Sequence, residues 1–114
     1  MRHNYENLEI YKRSLHVAVT IMTVIDEVRP YRLAEQICGS SISIPSNIAE
    51  GSERGSNKEF IRFLEYSSGS ASELATQITI IKLSGKQIGI DLSFIIQETK
   101  EINSMIRSFM NSLN

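Results

Sequence analysis

Ser43-Ile44-Pro45-Ser46-Asn47-Ile48-Ala49-Glu50-Gly51-Ser52-Glu53-Arg54-Gly55-Ser56-Asn57-Lys58-Glu59-Phe60-Ile61-Arg62-Phe63 is the stretch on which the fold of this chain turns. Ile44 and Ile48 continue an apolar stripe begun by Leu33 and Ile37, so the segment opens as the end of a helix. Pro45 removes one main-chain donor from that helix and predicts a bend, with nearby serines able to occupy freed carbonyls. Gly51 and Gly55 bracket a tight connection. Ser56, with Glu59 three residues later, has the spacing of a capping box that starts a new helix.

Working outward, the new helix runs to about residue 84 and carries a heptad of Phe60, Leu64, Ser67, Ala71, Leu74, Ile78 and Ile81. Its middle, Ser67 to Ser72, is made of small residues, as is the preceding helix around Ala34, Cys38, Gly39, Ser40, Ser41 and Ser43. The two thin surfaces are expected to face each other. Gly85 is a natural terminator. Asp91 can cap a last helix bearing Leu92, Ile95, Thr99, Ile102, Ile106, Phe109 and Leu113. Upstream, a first helix is expected from Leu8 to Val28, ended by Arg29-Pro30-Tyr31. A strand is the competing reading of its β-branched run Val17 to Ile25, but the helical spacing extends well upstream.

That first helix carries two apolar stripes. Leu8, Tyr11, Leu15, Ala18, Met22 and Ile25 form one; Ile10, Val17, Ile21, Val24 and Val28 form the other, centred about 110° away. More than half of the cylinder is apolar. We assign the second stripe, Ile10, Val17, Ile21, Val24 and Val28, to an interface with another copy, because soluble monomers rarely expose so wide a strip. The organisation is therefore one all-α domain over residues 1–114, with helices at about 8–28, 32–53, 57–84 and 92–113. Short connections make it an antiparallel up-down four-helix bundle.

The 114 residues suffice for one core, and net charge is −1 from 12 basic and 13 acidic residues. No global positive field draws the chain to nucleic acid, so any such binding must come from a local patch. One cysteine, Cys38, and two histidines exclude a disulfide framework and argue against a transition-metal site. His16 reads as a surface or boundary residue and Cys38 as a packing thiol. No Gly-x-Ser-x-Gly elbow and no Walker lysine-serine pair occurs, so neither an enzyme nor a cofactor site is expected. The polar residues 1–7 adjoin no apolar signal region, and no apolar run reaches membrane length. A cytoplasmic protein is expected.

Arg54, Lys58 and Arg62, spaced by four, remain as the candidate nucleic-acid-binding strip. Near a helix amino terminus they suit phosphate; by spacing alone, set among Glu50, Glu53, Glu59 and Glu65, they read first as a self-neutralised solvated face. Asn47 and Glu50 are expected to hold the turn, with Glu50 pairing Arg54.

The block from Ser43 to Phe63 resembles the signature of the four helix bundle proteins encoded in intervening sequences of bacterial 23S ribosomal RNA genes. Pro45, Asn47, Glu50, Gly51, Gly55 and Glu59 carry the resemblance. Leu8-Glu9-Ile10-Tyr11-Lys12, Gln36-Ile37 and Gly69-Ser70-Ala71-Ser72-Glu73-Leu74 support it on either side. The resemblance implies a four-helix protomer assembled into a cyclic homopentamer. Through the related accessory proteins of diversity-generating retroelements, it also implies contact with nucleic acid or a nucleic-acid-associated protein. The chain departs from the pattern at Cys38-Gly39-Ser40-Ser41, where many members carry an Arg-Arg pair. The functional reading is a nonenzymatic homo-oligomer touching RNA or a ribonucleoprotein through Arg54, Lys58 and Arg62; the alternative is a protein-interaction scaffold without a nucleic-acid role.

Overall fold

The structure, a computed structural model, describes residues 3–114. Among the described residues there are four α-helices and no strands: α1 Glu9–Met22, α2 Tyr31–Ser52, α3 Asn57–Leu83 and α4 Leu92–Ser112, with 3-10 turns at Tyr5–Asn7 and Ile25–Glu27. They form an all-α helical bundle of about 45 × 20 × 20 Å. No helix of the described residues is long and apolar enough to cross a membrane.

The heptad of α3 is its buried face: Phe60, Leu64, Ser67, Ala71, Leu74, Ile78 and Ile81 are all buried. Opposite them α2 contributes Ile37, Ile44 and Ile48, and α4 contributes Ile95, Thr99, Ile102 and Ile106, again buried. The seam between α2 and α3 is the most extensive in the molecule, and it is the one lined by serines. Ser67 donates to the Ile44 carbonyl, Ser70 to Ser43 Oγ at 2.8 Å, and Ser40 to Gln77 Oε1 at 2.7 Å. Small side chains let the two backbones approach, and each hydroxyl then needs a partner, because an unpaired buried one costs about 1–3 kcal/mol. Side-chain donors also reach the backbone around Pro45, which is inside α2 and buried. They land on the carbonyls of Ser43, from Asn47, and of Ile44, from Ser67.

Helix α1 is shorter than its apolar pattern suggests and ends at Met22, well before Pro30. The threonine hydroxyls account for this, since Thr23 donates to the Thr20 carbonyl at 2.6 Å and Thr20 to that of His16 at 2.9 Å. Such back-bonding competes with the helical ladder in a run already rich in β-branched residues. Val24 leaves the helical region, and Arg29 covers the carbonyls of Asp26 and Val28 at 2.8 Å each. The Arg29–Pro30 peptide is cis.

The stripe of α1 that the sequence assigned to an outer interface is buried instead. Ile10, Val17, Ile21, Val24 and Val28 are each at most 5% exposed within the single chain, so they belong to its own core and not to an outer interface. The outward residues are Leu15, Val19 and Met22, joined on α2 by Ile42. Periodicity shows two stripes but not which one meets the neighbouring helices. Packing decides: Ile10, Val17, Ile21 and Val28 join the core cluster shared with α2, α3 and α4.

Helix α1 is tied to α4 by charge. Arg13 reaches Glu98 through Nε at 2.9 Å and through Nη2, and Nη2 also contacts Glu101 at 3.0 Å. These bonds hold the Arg13 guanidinium above its ordinary range, Glu98 contributing most, and hold the Glu101 carboxyl below its own. At the amino terminus His3 lies against Phe60 and Phe109 with ring centroids 5.1 and 5.8 Å away. His16 is exposed, and Cys38 is half-buried rather than fully packed.

Two glycines of the signature stretch do different work. Gly51 lies in the last turn of α2, where an added Cβ would come within 2.6 Å of Phe63 Cβ and 3.0 Å of Phe60 Cδ1. Around Gly55 there is open space. Gly51→Ala is therefore expected to lower unfolding free energy by about 1–3 kcal/mol, the range for overpacking, because Phe63 Cβ cannot move without its helix. Gly55→Ala should stay within about 0.5 kcal/mol of the parent. Denaturant melts of the two variants check the contrast; equal effects would show that the α2–α3 approach tolerates a methyl group.

Candidate nucleic-acid interface at the elbow of α2 and α3

The connection between α2 and α3 is four residues long, Glu53 to Ser56, and it delivers the charged strip to one end of the α2–α3 seam. Ser56 is the N-cap of α3, and its hydroxyl accepts from the Glu59 N–H at 3.2 Å. The reciprocal arm of a capping box is not made. Glu59 turns its carboxylate along the helix instead and accepts from Arg62 Nη2 at 3.1 Å. That hydrogen bond, the largest of several contributions, holds the Arg62 guanidinium above its ordinary range.

Arg54 is engaged in a similar way. Its Nη2 donates to Glu50 at 2.7 Å, with both side chains close to half exposed. Asn47, expected to hold the turn, points back along α2 and donates to Ser43 Oγ at 2.8 Å and to its carbonyl at 2.9 Å. Lys58 is exposed and makes no ion pair with any described residue. Of the three strip cations, two are thus matched to carboxylates and one is not.

Geometry adds what spacing could not. Arg54 and Arg62 both sit over the ring of Phe63, with guanidinium carbons 4.7 and 5.2 Å from its centroid. Phe63 meets Tyr66 edge-on at 5.6 Å, and Tyr66 Oη accepts from Arg62 Nη1 at 3.3 Å. The result is a ladder of guanidinium, ring, guanidinium and ring along one rim, with Lys58 one helical turn before Arg62. Phe63 and Tyr66 were not singled out in the sequence because neither lies on the α3 heptad. The signal was present in their i,i+3 spacing and in Arg62 lying four residues before Tyr66, which puts all three on adjacent helix positions.

Exposed i,i+4 ion pairs are worth about 0.3–0.5 kcal/mol, so the Glu50–Arg54 pair is easily exchanged for another anion. The carboxylates therefore lower the positive potential of the rim without locking Arg54 away. Among the described residues no group of three or more histidine, cysteine, aspartate or glutamate side chains is placed to hold a metal ion.

Comparison with known proteins places this geometry in context. The chain matches the family described as 23S rRNA-intervening sequence protein over residues 6–108. It is also similar to a solved structure from Bacteroides thetaiotaomicron, a protein of unknown function from the S23 ribosomal protein family. That similarity has a TM-score of 0.80 at 24% identity, covering 89% of this chain and 97% of that one; at this identity it speaks for the fold alone. No functionally curated protein matches the chain.

The observed cap separates the roles of Ser56 and Glu59. Ser56→Ala is expected to cost about 0.5–2 kcal/mol, the range for loss of an N-cap hydroxyl. Glu59→Ala should cost less than Ser56→Ala, because its backbone N–H survives the substitution. Thermal unfolding of both variants checks this, and a larger loss at Glu59 would mean that the reciprocal arm forms in solution.

Proposed function

The chain belongs to the 23S rRNA-intervening sequence protein family, and from that premise we propose a nonenzymatic, self-associating bundle that meets RNA or a ribonucleoprotein at the elbow of α2 and α3. The observation that carries the reading is the convergence of Arg54 and Arg62 on Phe63, with exposed Lys58 beside them. Cations dispersed around a bundle give a weak field at any one point; three along one rim can act together on one backbone.

The protomer in this proposal is an antiparallel up-down bundle. The pairings of Ser43 with Ser70 and Ser40 with Gln77 across α2 and α3, and of Asn103 with Ser72 and Arg107 with Ser68 across α3 and α4, support that sense. Self-association is supported by the apolar strip of Leu15, Val19, Met22 and Ile42, each more than a third exposed. A cyclic homopentamer is the assembly we propose, since a ring multiplies the rim cations and needs no symmetric patch on the protomer. The nonenzymatic part rests on the sequence, which has neither a nucleophile elbow nor a phosphate-binding lysine motif. A cytoplasmic location completes the proposal.

A second reading, a protein-interaction scaffold without nucleic acid, is favoured by the same apolar strip and by the carboxylates matched to Arg54 and Arg62. Two measurements decide between them. Leu15→Lys with Val19→Lys should reduce the mass seen by light scattering toward the 12.9 kDa of one chain while leaving helicity intact; full retained mass would reject this face. Titration with an RNA that carries both paired and unpaired segments, across a salt series, should show affinity that falls with salt and is lost on joint replacement of Arg54, Lys58 and Arg62 by alanine. Salt-independent binding, or none, would favour the scaffold.

A further inference from the structure

The elbow carries more aromatic surface than a phosphate-binding rim needs and less free positive charge. Two of its three cations are matched to Glu50 and Glu59, and Glu53 and Glu65 lie in the same stretch of sequence. A duplex, whose bases are hidden and whose recognition leans on phosphate neutralisation, would find little here beyond Lys58. An unpaired base presents a π-face, and stacking on aromatic rings and on guanidinium planes is how single strands are held when charge is scarce.

Tyr66 has the attributes of such a platform. It is 48% exposed on α3, although large aromatic rings are ordinarily drawn into a core. Its orientation is set from two sides, by the edge-on contact with Phe63 at an interplanar angle of 86° and by the hydrogen bond from Arg62. Arg62 lies 5.9 Å from the Tyr66 centroid and 5.2 Å from that of Phe63, so its guanidinium bridges the two rings. An oriented, half-open ring beside a fixed guanidinium is a preformed stacking surface with little ordering entropy left to lose.

We propose that the nucleic acid recognised at this elbow is single-stranded RNA, with an unpaired base stacked on Tyr66 and the adjoining phosphate contacted by Lys58 and Arg62. This rests on the RNA reading of the site and adds the strand state and the residue that reads it. Tyr66 is a binding residue here, and the tyrosine hydroxyl serves only to orient the ring.

The test is a fluorescence-anisotropy titration of the full chain with two probes, a short oligouridylate and a stable RNA hairpin without a long loop. Each is measured with the parent, Tyr66→Ala, Tyr66→Phe and the joint alanine replacement of Arg54, Lys58 and Arg62. The expected result is tighter binding of oligouridylate than of the hairpin, a loss of roughly tenfold or more on Tyr66→Ala, the scale of one base–aromatic stack, and near-parent affinity for Tyr66→Phe. The salt dependence should be shallow, as for contact with one or two phosphates. Preference for the hairpin, or indifference to Tyr66→Ala while the triple replacement abolishes binding, overturns the single-strand assignment and leaves the RNA reading standing. Failure of both probes to bind at low salt overturns the RNA reading and this inference with it. Tyr66 is half exposed, so circular dichroism should show Tyr66→Ala to be folded.

Discussion

The close approach of α2 to α3 is the constraint from which the rest of the structure follows. It requires Gly51, because any side chain there would collide with Phe63 and Phe60. It also requires the run of serines and alanines that thins both helices along their length. Thin helices bury less apolar area per turn, so part of the cohesion passes to hydroxyls that bridge the seam: Ser67 to the Ile44 carbonyl, Ser70 to Ser43, Ser40 to Gln77. Net hydrogen bonds are modest contributors, but an unpaired buried hydroxyl is costly. The seam is therefore specific in register as well as cohesive. A slip along α3 would leave several buried oxygens without partners.

The elbow inherits its geometry from that seam. With Gly51 seated against Phe60 and Phe63, the chain leaves α2 close to α3, and Arg54 emerges beside the ring of Phe63. Arg62 arrives at the same ring from α3 itself. A packing requirement in the interior thus assembles a cation–aromatic rim on the surface. The carboxylates of Glu50 and Glu59 pair with Arg54 and Arg62 and lower the positive charge of the rim.

Helix α1 meets the bundle on different terms. It is clasped to α4 by Arg13 with Glu98 and Glu101, and its seam with α4 is less extensive than its seam with α2. The buried stripe of Ile10, Val17 and Ile21 supplies the apolar cohesion, while Leu15, Val19 and Met22 stay outward. An apolar outer strip is where a bundle can add a neighbour without disturbing its own core.

The sequence by itself determined the helical class, the bounds of α3 through Ser56 and Gly85, the α3 core heptad and the identity of the signature stretch. These are local properties: periodicity, capping and glycine conformation act over a few residues and are legible from them. It also showed that α1 has two apolar stripes and that Arg54, Lys58 and Arg62 share a spacing. Only tertiary structure decided which stripe is inside, since a helix cannot choose a face until its neighbours are positioned. It likewise decided that α1 stops at Met22, that Glu59 serves Arg62 rather than the cap, and that Phe63 gathers two arginines. Each of these depends on where another helix lies. Gly51 marks the boundary between the two kinds of knowledge: the residue is plain in the sequence, but the reason for it, the lack of room for a methyl group against Phe60 and Phe63, exists only in the folded molecule.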